Sequence, residues 1–173
     1  MHPVEIRDAL DSMVLLVDSR EKDTPALRKR LEAAGRPTER LALLSGDYSC
    51  KCILPSGEPF SLDRRVVIER KMGLDELAQN FTKGRARFAR EFERLKAAGG
   101  KAFLLVENGS WENIIAHKYR SQFAPKAFLA SIAAWQARYD SHIIFCKPET
   151  TGFLIERLLY YQLKEILESG ELG

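Results

Sequence analysis

Val66-Val67-Ile68-Glu69-Arg70-Lys71 is an apolar, β-branched run that turns abruptly charged. β-Branched residues favour the pleated backbone, so the run reads as a buried strand. Side chains two apart on a strand share a face. Glu69 and Lys71 therefore point one way, with Val67 behind them toward the core, and Arg70 points the other way. A carboxylate and an ammonium side by side at the end of an apolar strand are costly to bury unless something pairs them. The pattern predicts a core strand whose last turn of pleat opens onto a cleft.

Working outward, turns and strands flank this segment on both sides. Residues 13–17 form a short apolar run ending in Asp18, with Glu21 soon after. Asp23-Thr24-Pro25 gives a capped helix start, and Gly35 gives its stop. Residues 39–44 read as a second strand, ending at the turn Ser45-Gly46-Asp47. Residues 48–54 read as a third, closed by Pro55-Ser56-Gly57, and residues 60–63 are placed to pair back against it. Asp47, on its glycine-led turn, is aimed at the same cleft as Glu69.

Downstream the apolar period becomes helical. Leu74, Leu77, Ala78 and Phe81 mark one helix; Phe88, Phe92 and Leu95 mark another over residues 85–98. Residues 102–106 and 142–146 read as strands, residues 111–117 and 125–139 as helices, and residues 150–167 as a terminal helix. This alternation, with no repeat or linker, predicts a single α/β domain over residues 1–173, a mixed central sheet flanked by helices.

The chain has 173 residues, 45% hydrophobic and 29% charged, with a formal net charge of +3. That is ordinary globular composition. So small an excess neither demands nor excludes nucleic acid, and the distribution of charge must decide. Three cysteines, two of them in Cys50-Lys51-Cys52, cannot all pair and suit a reducing compartment. No leader pattern opens the chain, and no apolar run approaches the roughly 20 residues of a membrane span. An intracellular protein without a membrane partner is expected.

Asp47, Glu69 and Lys71 together have the chemistry of phosphodiester hydrolysis. Mg²⁺ prefers a few carboxylate oxygens, keeps several waters and accepts substrate phosphate oxygens. Asp47 and Glu69 would supply the carboxylates. Lys71 would orient or help deprotonate a water, or stabilise the charge of the transition state.

The motif order then becomes specific. Gly46-Asp47-Tyr48, followed by Glu69-Arg70-Lys71 and Asp75, resembles the G-D-Xn-E-R-K-XXX-D signature of XPF-type structure-specific endonucleases, within the PD-(D/E)XK restriction-endonuclease-like superfamily. Val17-Asp18-Ser19-Arg20-Glu21 is similar to that family's V-D-x-R-E, and Gly84-Arg85 with Phe88 to its later helix start. The motif core spans about residues 13–107. The resemblance implies a restriction-endonuclease-like fold, Mg²⁺ dependence with Mn²⁺ as a substitute, and cleavage of branched or distorted duplex DNA to a 5′-phosphate and a 3′-hydroxyl. It implies Asp47 and Glu69 as metal ligands, with Asp18 beside them as ligand or support. Lys71 positions the water, and Glu21 and Arg70 complete the catalytic set. Arg20, Arg70 and Asp75 organise the site or approach DNA. Relatives usually continue into a tandem helix-hairpin-helix region, which does not follow here. DNA binding would then be shared with a second copy, as a homodimer, or with a DNA-binding partner protein. A nickase or DNase without structural preference, and a non-cleaving DNA-binding scaffold, are the alternatives.

Two further features carry expectations. Lys83, Arg85, Arg87 and Arg90 directly follow the catalytic strand, and Arg87, Arg90 and Arg94 share a helical face opposite Phe88, Phe92 and Leu95. Contact with the DNA backbone is expected there, beside the plainer reading of a solvated face. Phe153, Leu154, Leu158, Tyr161 and Leu167 give the terminal helix a broad apolar surface, for core packing or a dimer seam.

Overall fold

The computed structural model describes residues 1–172. One mixed sheet of seven strands divides the molecule into two cores. In chain order the elements are α1 (Pro3–Asp11), β1 (Val14–Asp18), α2 (Pro25–Ala34), β2 (Thr38–Leu41), β3 (Tyr48–Ile53), β4 (Pro59–Ser61) and β5 (Val66–Lys71). There follow α3 (Leu74–Phe81), α4 (Arg85–Ala97), β6 (Lys101–Glu107), α5 (Trp111–Ile115), α6 (Pro125–Tyr139), β7 (His142–Cys146) and α7 (Pro148–Ser169).

The strand order is β2-β1-β3-β5-β6-β7, with β4 a short branch on β3. β1 runs parallel to β2 and antiparallel to β3; β3 runs antiparallel to β5; β5, β6 and β7 are parallel. The register sets Val17 opposite Tyr48, Tyr48 opposite Ile68 and Lys71 beside Val106. One edge of the sheet therefore collects the end of β1, the start of β3 and the ends of β5 and β6. Asp18, Asp47, Glu69, Arg70, Lys71 and Glu107 all lie along it.

Alternation along β5 partitions the cores. Val66 and Ile68 join one with Leu15, Leu105 and residues of α1, α2 and α7; Val67 joins the other with Leu104 and residues of α3, α4 and α6. Each fully buried Leu, Ile or Phe contributes roughly 1.5–3 kcal/mol against exposure, so both cores are needed to hold the sheet edge in place. The second core is aromatic, with Phe88, Phe92 and Trp135 in mutual contact. In the first, α2 and α7 meet at Gly152, where a Cβ would stand 2.1 Å from the Arg30 carbonyl oxygen.

Local signals explain the helix ends. Thr24 accepts the Leu27 N–H and Gly35 closes α2 in the left-handed conformation, as its sequence requires. Three expectations change. Residues 3–11 form a helix that the sequence reading leaves out, capped by His2 and Glu5 and held against α7. The second strand stops at Leu41 instead of reaching residue 44, because the Leu43 N–H turns away to the Asp18 carboxylate. On α7 the core face runs through Ile155, Leu159, Leu163 and Leu167, which leaves Phe153 and Tyr161 exposed. Among the described residues no helix is long and apolar enough to cross a membrane.

Candidate active site

Asp47 is fixed by its backbone between two strands. Its N–H donates to the Ile68 carbonyl at 2.8 Å, and its own carbonyl accepts the Asp18 N–H at 2.9 Å. The residue before it must be glycine. Gly46 has φ +76°, and a Cβ there would lie 2.8 Å from Val67 Cβ and 3.1 Å from the Ile68 carbonyl oxygen. The side chain then reaches over β5, where its Oδ2 accepts the Arg70 N–H at 2.7 Å.

Glu69 and Lys71 share the α3–α4 side of β5, and the ammonium donates to Glu69 Oε1 at 2.5 Å. Lys71 also sits 5.5 Å above the Phe88 ring, a cation–π contact that stiffens it from the helix side. Burial raises both carboxylates. Asp47 is lifted well above the ordinary carboxylate range by burial and then by the facing charge of Glu69. Glu69 is raised by burial in spite of Lys71, with Glu91 adding to the repulsion. Burial works against the Lys71 ammonium, but Glu69 beside it overrides and holds its pKa above the usual lysine value. Negative charge is therefore crowded here beyond what one lysine answers.

This crowding fits a bound cation. Among the described residues no group of three or more His, Cys, Asp or Glu side chains is gathered to hold a metal alone. Asp47 and Glu69 offer two carboxylates, each with one oxygen committed to the chain. Such a donor set suits a hard ion that keeps waters and takes phosphate oxygens, rather than one needing a full protein cage.

The remaining motif residues separate by role. Asp18 is buried; Arg20 Nε donates to its Oδ2 at 2.6 Å and the Leu43 N–H to its Oδ1 at 3.1 Å. It buttresses the Asp47 turn from β1. Glu21 stands near enough to add repulsion to Asp47. Arg70 leaves the cleft for the opposite face, where its guanidinium binds both oxygens of Glu107 at 2.9 and 2.7 Å. Asp75 accepts the backbone N–H groups of Arg120 and Ser121 with one oxygen, each at 2.8 Å.

An open hollow of about 440 Å³ adjoins Glu69 and Lys71, walled by Glu76, Asn80, Arg87 and Glu91 among others. Lys83 and Arg87 reach it; Arg85 lines a separate hollow near Trp135, and Arg90 is solvent-exposed outside both. Glu91 is the residue that sequence reasoning missed. Its Oε1 accepts the Gly46 N–H at 3.1 Å, tying α4 to the Asp47 turn. The signal was its spacing, three residues past Phe88 on the face turned to the sheet.

The ERCC4 domain family matches residues 17–158. The chain belongs to that family. The ERCC4 domain is thus an XPF-type DNA nuclease domain, as Gly46-Asp47 and Glu69-Arg70-Lys71 led one to expect. A search of curated proteins gives no match. Among solved structures the domain is similar to XPF from Aeropyrum pernix, with TM-score 0.63, 23% identity, and coverage of 91% of this chain and 69% of that one. It is also similar to XPF from Aeropyrum pernix in complex with DNA, with TM-score 0.62, 24% identity, and coverage of 88% and 66%. The chain therefore spans about two thirds of the length of those proteins, and the likeness is one of fold.

Proposed function

We propose that this ERCC4 domain is a divalent-cation-dependent endonuclease that hydrolyses DNA phosphodiesters at branched or distorted duplexes. The observation that carries the reading is the convergence of Asp47, Glu69 and Lys71 at one sheet edge, beside an open hollow that Lys83 and Arg87 also reach. Asp47 and Glu69 would hold Mg²⁺ or Mn²⁺, with Asp18 supporting the turn behind them and Glu21 adding negative charge nearby. When bound, the ion supplies Lewis-acid stabilisation of the phosphate and a more acidic water.

The chain's own groups do the rest. The Lys71 ammonium, held by Glu69, donates hydrogen bonds to an attacking water or to a phosphate oxygen as charge accumulates. Lys83 and Arg87 hold flanking phosphates by charge, which positions the strand without reading its sequence. Arg20 locks Asp18 and so keeps the Asp47 turn in place. Cleavage on this pattern leaves a 5′-phosphate and a 3′-hydroxyl. The DNA complex of the Aeropyrum protein, a structure of the same fold, supports DNA as substrate. A second copy or a DNA-binding partner would enlarge the DNA contact, and such a substrate puts the work inside the cell.

The test is a panel of labelled duplex, flap, fork and four-way junction DNA, incubated with Mg²⁺ and with EDTA. The wild type is expected to cut branched substrates only with the cation. Asp47→Asn, Glu69→Gln and Lys71→Met should each lose about a hundredfold or more in rate. Wild-type cleavage by any of these, folded by circular dichroism, removes the assignment. Equal rates on duplex and branched DNA remove the structural preference.

A further inference from the structure

Asp75 belongs to the recognised motif, yet its carboxylate does not turn toward Glu69 and Lys71. Its Oδ1 collects two consecutive backbone N–H groups, those of Arg120 and Ser121. These lie in the connection between α5 and α6, residues 116–124. The connection is unusually well braced for an exposed loop. The His117 ring bonds the Ser121 carbonyl at 2.8 Å, and the Tyr119 hydroxyl donates to the Phe123 carbonyl at 2.6 Å. Tyr119 and Phe123 both pack on buried Phe128, and His117 takes a positive φ of 52° to start the bend. A loop backbone braced by these bonds loses less freedom when one of its exposed side chains takes a ligand.

The side chain presented is Arg120, 99% exposed and only 4.0 Å from the Asp75 carboxylate at its nearest. Asp75, Gln79, Lys83, Arg120 and Ser121 border a hollow of about 760 Å³. Gln79 and Lys83 also border the hollow beside Glu69 and Lys71. The two hollows thus meet at Gln79 and Lys83, and cations stand at successive places across them: Lys71, Lys83, Arg120.

We propose that the 116–124 loop is the outer lip of the DNA channel, with Arg120 holding a backbone phosphate beyond Lys83 and Asp75 as the positioning residue that fixes the loop. The proposal rests on the nuclease reading for its substrate. Asp75 then acts through two N–H groups rather than through the cation, and what it must provide is an acceptor oxygen, not a charge. Asparagine supplies that oxygen; alanine does not.

The experiment measures binding of a fluorescein-labelled flap duplex by anisotropy in EDTA, over a range of salt, and then steady-state cleavage with Mg²⁺. Arg120→Ala should weaken binding several-fold, lower the slope of log affinity against log salt by about 0.9 for one lost phosphate contact, and raise KM more than it lowers kcat. Asp75→Ala should do the same, Asp75→Asn should restore binding, and the double variant Asp75→Ala/Arg120→Ala should bind no more weakly than Arg120→Ala alone. An unchanged salt slope in Arg120→Ala overturns the proposal, and that variant lies at a fully exposed position where folding is not at risk. Loss of kcat in Asp75→Asn, with binding intact, overturns the positioning role. Should the wild type bind DNA without cutting it, the nuclease reading fails while the anisotropy series still decides the loop.

Discussion

The end of β5 builds two ion pairs back to back, and they differ in how completely each is satisfied. On one face Arg70 grips both oxygens of Glu107, and the Thr151 hydroxyl donates to the same carboxylate at 2.7 Å. Burial works to raise Glu107, but the bonds from Arg70 and Thr151 overcome it and hold the carboxyl below its ordinary range. On the other face Lys71 has Glu69, yet Asp47 and Glu91 crowd the same space and the carboxylates are pushed up. A pair with all its partners locks β5, β6 and α7 together. A set with an excess of negative charge can take a cation and, through it, a phosphate. Two adjacent cations, Arg70 and Lys71, each paired with a glutamate, thus do opposite work, and the difference lies in their geometry and their neighbours.

The largest effect should come from unlocking the closed face. Glu107→Ala leaves the Arg70 guanidinium largely buried without its partner, and breaking a buried pair this way costs about 3 kcal/mol. Urea unfolding should show that loss, while cleavage per folded molecule stays within a few-fold of wild type. Full stability with no cleavage would break the comparison, since it would make Glu107 part of the chemistry. The pH direction follows from the lowered pKa. Glu107 contributes stability above the unfolded carboxylate pKa and loses it as pH falls through its own lower value.

Next in size is the opposite sign on the open face. Asp47 has a raised pKa, so the folded state binds its proton more tightly than the unfolded state and the ionised carboxylate costs stability at neutral pH. Asp47→Asn should therefore raise the melting midpoint by a few degrees while abolishing cleavage. The gap to wild type should narrow as pH falls and Asp47 takes up its proton. A variant that melts below wild type at neutral pH would show that the crowding of charge at this edge is not a strain.

How far the sequence carries this argument depends on whether the partners are local. The period of Val66–Lys71 places Glu69 and Lys71 on one face and Arg70 on the other, and the structure agrees. Thr24, Pro25 and Gly35 bound α2 through bonds within one or two turns. Gly46 announces Asp47 through a left-handed turn under Val67. Glu107 and Thr151 are 37 and 81 positions beyond Arg70, and nothing in either segment marks them as its anchor. α1 escapes because Ile6, Ala9 and Leu10 are a thin stripe that only tertiary contact, with α7 and β3, makes worthwhile burying. Residues 42–44 read as the end of a strand until Asp18 captures the Leu43 N–H. Asp75 was legible as a motif residue, but its partners on a loop 45 and 46 positions away were not.

The smallest effect separates the cations of the two faces. Lys83 and Arg87 reach the open hollow, and Arg85 and Arg90 extend the basic surface of α4. Arg36 and Arg157 belong to the closed side, where both bind Glu156. Counterion release ties affinity to the number of phosphates neutralised, with a slope of about −0.9 per contact on duplex DNA. Neutralising Arg85, Arg87 and Arg90 together should flatten the salt dependence by about one of these increments, because Arg87 alone of the three borders the hollow. Arg157→Gln should leave the slope as it is, since its charge is answered within the chain. Equal flattening by both sets would mean that the field of the whole molecule, rather than the open face, attracts DNA. An unchanged slope in the triple variant would confine phosphate contact to Lys71, Lys83 and the loop beyond them, and so shorten the channel to one wall.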